Sequence, residues 1–62
     1  MRYEITGTDE PFAIDSADAL TEFFSANELD AAERRAILAL AIGQSFEGGG
    51  GAGVDWAITR VT

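Results

Sequence analysis

Asp15, Asp18 and Glu22 stand at i, i+3 and i+7, the spacing that lines three carboxylates along one face of an α-helix. Glu28, Asp30 and Glu33 form a second acidic cluster, and Asp9 and Glu10 a third. Carboxylates can hold a cation, move a proton or bind a cationic protein surface. A calcium loop needs acids at alternating positions, then a glycine and a terminal Glu, and Asp9, Glu10, Asp15 and Asp18 lack that spacing. Ser16, Ser25 and Ser45 offer hydroxyls, but the chain has no His, Lys or Cys to act as base or nucleophile. A carboxylate pair of glycosidase type needs a concave site, for which 62 residues leave little room. The remaining chemistry is docking. On helix geometry the Asp15–Glu22 row is about 10 Å long, comparable to one or two phosphate steps of a nucleic-acid strand. Its competitor is plain solvation: most single carboxylates are helix caps or surface charges.

Composition sharpens this reading. Eleven acidic residues face four arginines, for a net charge of −7. Such a surface repels phosphate, which argues against direct binding of nucleic acid or an anionic membrane and favours a basic protein partner, with solubility as the simpler explanation. Without His or Cys there is no disulfide and neither of the commonest metal ligands, so no cofactor or metal is expected. A hydrophobic content of 47% supports one small folded domain over residues 1–62. The polar N-terminus and the longest apolar run, AILALAI at 36–42, provide neither a signal segment nor a membrane span, so the expected location is cytoplasmic.

The elements that must position the acids are read from periodicity. MRYEIT alternates, with Met1, Tyr3 and Ile5 on one face and Arg2, Glu4 and Thr6 on the other, as in a half-buried strand. GTDEP breaks it, and FAI returns as a short strand with Phe12 and Ile14 inward. Asp15 or Ser16 caps a helix whose stripe is Ala17, Leu20, Phe23 and Phe24, with Asn27 as its stop. Asp30 and Glu33 match a capping box for a second helix. Ala36–Ile42 is apolar all round, which predicts a helix buried on most of its circumference and ending near Gly43. VDWAITRV alternates again, with Val54, Trp56 and Ile58 inward. The expected fold is α+β: a small antiparallel sheet of about three strands with two helices packed on one face. Its core is Tyr3, Ile5, Leu20, Phe24, Ile37, Leu40, Trp56 and Ile58.

Five of the seven glycines fall in FEGGGGAGVDW, residues 46–56. They link the end of the buried helix, or a short strand around Phe46, to the C-terminal strand. Gly48, Gly50 and Gly53 match G-x-G-x-x-G in letters, but that fingerprint needs a strand before it and a helix after it.

In size, charge and lack of catalytic residues, the whole chain resembles the small acidic anti-CRISPR proteins of phages and mobile elements, especially those directed against type I Cascade. That group shares no sequence motif. The resemblance implies a non-enzymatic inhibitor that occupies a basic DNA-binding surface of a Cas subunit and blocks target DNA. Asp15, Asp18 and Glu22 would be its leading contacts, with Glu28, Asp30 and Glu33 next. The alternatives are an antitoxin or immunity-type protein that caps a basic toxin, and a precursor peptide with an acidic helical leader.

Overall fold

Alternation along the first strand produces the expected result: Tyr3 and Ile5 are buried while Glu4 and Thr6 face solvent. The computed structural model describes residues 1–49 and 55–62. Its elements in chain order are β1 (Tyr3–Thr6), β2 (Phe12–Ile14), α1 (Ala17–Ala26), α2 (Ala31–Leu38), β3 (Ser45–Gly49) and β4 (Asp55–Arg60). They form an α+β fold whose single antiparallel sheet has the strand order β2-β1-β4-β3.

The sheet thus has four strands where three were expected. The added strand is β3, the short strand around Phe46 that the sequence left as one of two options; its sequence SFEGG marks it weakly because glycine is a poor strand former. Register explains why it forms. Phe46 pairs with Ile58, Ile58 with Ile5 and Ile5 with Phe12, so one apolar row crosses all four strands. Gly48 pairs with Trp56, whose ring covers the place where a side chain would be. The glycine run beyond Gly49, and Val54, lie outside the described residues.

The core lies between one sheet face and the helices. It comprises Tyr3, Ile5, Ile14, Leu20, Phe23, Phe24, Leu29, Ile37, Trp56 and Ile58, with Leu40 and Phe46 packed partly against it. Phe23 meets Trp56 edge-on at 4.9 Å between ring centroids, a favoured aromatic geometry. Met1 and Phe12, expected inward, are exposed. Met1 precedes the first strand, and Phe12 belongs to the edge strand β2, where one flank is always open.

The two helices do not share the sheet equally. α1 buries Leu20, Phe23 and Phe24, whereas α2 buries Ile37 alone and lies beside β3. The expectation that Ala36–Ile42 forms a helix buried nearly all round is therefore overturned: α2 stops at Leu38, and Leu38 and Ile42 are 56% and 67% exposed. The chain has to turn into β3, and two side chains hold that turn. Arg60 Nη1 donates to the Leu40 carbonyl at 2.9 Å, and Gln44 Oε1 accepts from Ala41 N at 2.9 Å. Gly43 belongs to this turn, at φ 88, and does not end the helix. Gln44 N donates to Ala41 O, Gly43 N to Arg60 O and Arg60 N to Gln44 O, the bonding of a tight turn with a glycine bulge. Among the described residues, no helix is long and apolar enough to cross a membrane.

Candidate functional site

The acidic row is built on the start of α1. Ser16 is the N-cap, its Oγ accepting from Ala19 N at 3.1 Å. Asp15 therefore precedes the cap and lies outside the helix, so the expected three-residue helical face reduces to Asp18 and Glu22, one turn apart. All three carboxylates are exposed. Leu20, Phe23 and Phe24 anchor the opposite side of α1 in the core, so Asp18 and Glu22 project from a fixed element. Asp18 also lies in the first turn, where the helix dipole favours a negative charge.

The second cluster has a structural task. Asp30 Oδ1 accepts from Glu33 N at 2.8 Å, and Glu33 Oε1 accepts from Asp30 N at 3.2 Å, completing the capping box. These two carboxylates are oriented by the helix they start. Glu28 is exposed at φ 53, the left-handed conformation usually left to glycine. Glu28 N donates to Ser25 O and Leu29 N to Phe24 O, the two bonds of a Schellman helix end. Leu29 and Phe24 supply its buried apolar contact. Arg34 braces the same turn, with Nε donating to Leu29 O at 2.8 Å and its guanidinium carbon 5.6 Å from the Phe24 ring centre.

The six expected site residues are strung out along this path, and none of them lines the cavity at β1 and β2. They run from Asp15, two residues before α1, along about 15 Å of helix, to the first turn of α2. Among the residues whose side chains are described, two further acids stand on the outer sheet face. Strand alternation places Glu4 there with Thr59 and Ser45, and Glu47 there with Ala57 and Thr6. Glu4 was legible as an outward residue, whereas the short strand read around Phe46 came without a register to show which way Glu47 faces.

A shallow cavity of about 230 Å³ lies at β1 and β2, lined by Arg2, Glu4, Thr6, Pro11, Phe12 and Ala13 among others. It is smaller than the usual range for small-molecule sites, roughly 300 Å³ upward. Glu4 is the one carboxylate in its lining. Among the described residues, no group of three or more acidic side chains is placed to hold a metal ion.

The arrangement suits contact with a broad cationic surface. Carboxylates on fixed backbone present acceptors that arginine engages in pairs of hydrogen bonds. Compared with protein-family models, with curated proteins and with solved structures, the chain matches none.

Proposed function

We propose that this protein is a non-enzymatic inhibitor that presents carboxylates in place of phosphates and occupies a basic DNA-binding surface, with a subunit of a type I Cascade as the partner. The observation that carries the reading is the division of α1. Asp18 and Glu22 are free on one side, while Leu20, Phe23 and Phe24 are buried on the other. Rigid placement lowers the entropy lost on binding, and a net charge of −7 steers a cationic partner into contact. Glu28, exposed just beyond the end of α1, would add a carboxylate, and Asp30 and Glu33 would contribute what charge their capping bonds leave available. An antitoxin or immunity-type protein would use the same electrostatics against a different basic partner. The position of β4 favours a folded binding protein over a leader-bearing precursor: β4 pairs with β1 on one side and β3 on the other, and Trp56 is only 5% exposed.

The test is competition with target DNA for purified Cascade, using the wild type and Asp18→Lys combined with Glu22→Lys. The wild type should displace DNA. The double reversal should melt within a few degrees of wild type and fail to displace it, because attraction becomes repulsion at the same positions. A folded double variant that competes fully would reduce the α1 row to a solvated face. No binding by the wild type would remove Cascade as the partner.

A further inference from the structure

We propose that the outer edge of β3 is a docking site for an extended, basic segment of a partner protein, added to the sheet as a fifth strand. Among the described residues, the strand order leaves β3 at one edge. Bonded and non-bonded positions alternate along an antiparallel pair. Gly43 N and Gln44 O both bond to Arg60, at 2.7 and 3.0 Å. Counting from there, the bonded positions fall at Phe46 and Gly48, opposite Ile58 and Trp56. The backbone N–H and C=O groups of Ser45 and Glu47 therefore point away from β4. The 2.6 Å contact between Ser45 Oγ and Thr59 Oγ1 agrees, since side chains approach most closely at non-bonded pairs.

The two sheet edges are not alike. β2 has three residues and follows Pro11, two devices that blunt an edge. β3 has five residues with no Pro and no Lys. The side chains flanking its open edge specify the occupant. Glu47 is exposed on the outer face, and half-buried Phe46 lies on the inner face, 6.3 Å from Trp56 between ring centres. A strand pairing here places alternate side chains beside Glu47 and beside Phe46, which selects a cationic residue next to an apolar one. A second copy of this chain fits less well. Each copy carries −7, and pairing β3 with β3 sets both Glu47 carboxylates on one face of a continuous sheet. The proposal rests on the acidic-mimic reading for the partner's charge alone; strand addition rests on the ladder.

The experiment titrates the isotope-labelled full chain with three short synthetic peptides, followed by amide chemical shifts and hydrogen exchange. One alternates arginine and valine, one has the same composition in two blocks, and one alternates glutamate and valine. The alternating arginine peptide should shift the Ser45 and Glu47 amides and slow their exchange, and bind on the order of tenfold more tightly than the block peptide. Glu47→Lys should reverse the preference between the arginine and glutamate peptides, by about three- to tenfold for each. Glu47→Pro removes an outward N–H without touching the β4 ladder, a change edge strands tolerate, so it should melt near wild type and lose the response. A response confined to α1 with Ser45 and Glu47 unchanged would overturn the proposal, as would undiminished binding by folded Glu47→Pro. Self-association of the free chain with protected Ser45 and Glu47 amides would assign the edge to a second copy and overturn it equally. The Asp18→Lys, Glu22→Lys chain should keep the β3 response, so loss of Cascade competition and loss of strand docking are separate results.

Discussion

The six-membered ring of Trp56 occupies the space into which any side chain at Gly48 would project. The two residues face each other across β3 and β4. The ring is also held by Phe23 and flanked by Phe46, so it has little room to retreat. Gly48→Ala should therefore destabilise the fold by about 1–3 kcal/mol, the usual cost of overpacking. In a domain this small that corresponds to a fall in Tm of roughly 4–8 °C per kcal/mol. Urea unfolding followed by Trp56 fluorescence measures it, and an unchanged midpoint would remove the packing argument.

Glu28 offers the opposite sign. A non-glycine residue at φ 53 is strained, and the Schellman end that contains it is otherwise complete. Glu28→Gly should raise stability by about 0.5–1 kcal/mol. If its carboxylate contacts the partner, affinity should fall in the same variant. A thermal melt paired with a binding curve separates the two effects.

Asp30 carries two roles that substitution can divide. Asp30→Ala removes the capping oxygen and should cost about 1 kcal/mol. Asp30→Asn keeps an acceptor at the same place while removing the charge, so it should melt within a few tenths of a kcal/mol of wild type. Any loss of partner binding in Asp30→Asn then reports charge alone.

Salt should weaken the proposed complex steadily, because screening acts over about 8 Å at physiological ionic strength and the contacting carboxylates are exposed. Affinity measured across a salt series should fall most for wild type and less for the Asp18→Lys, Glu22→Lys chain. A flat series would indicate an apolar interface, for which Met1, Phe12, Leu38 and Ile42 are exposed among the described residues.

Local patterns were legible where neighbouring residues decide the outcome. Period-two alternation marked β1 and β4, helical spacing marked α1, and the Asp30–Glu33 pair marked the start of α2. Seven of the eight expected core residues are buried and Leu40 is half-buried. What was illegible depends on contacts made only in the fold. β3 is admitted because Gly48 leaves room for the Trp56 ring, and both residues lie in the 46–56 stretch, but only the strand register sets them opposite each other. The AILALAI run reads as buried helix, yet the chain must turn at Ala41–Gln44 to meet Arg60. Ser16 and Asp15 are adjacent and both suited to capping, and only the helix register selects Ser16. The acids were visible as letters, but which of them serve caps and which stand free depends on hydrogen bonds formed in the fold.

β4, the last strand in the sequence, is an inner strand of the sheet, pairing Arg60 with Tyr3 and Thr59 with Ser45. During synthesis β1, β2 and both helices emerge while the strand that joins them is still missing. Until residues near Arg60 leave the ribosome, Leu20, Phe23 and Phe24 have no completed sheet to cover. Completing the sheet then waits on the pairing of β1 with β4, contacts far apart in sequence, which slows folding relative to a helical domain of equal length. A nascent chain stalled before Trp56 should accordingly be open to proteases that spare the finished protein.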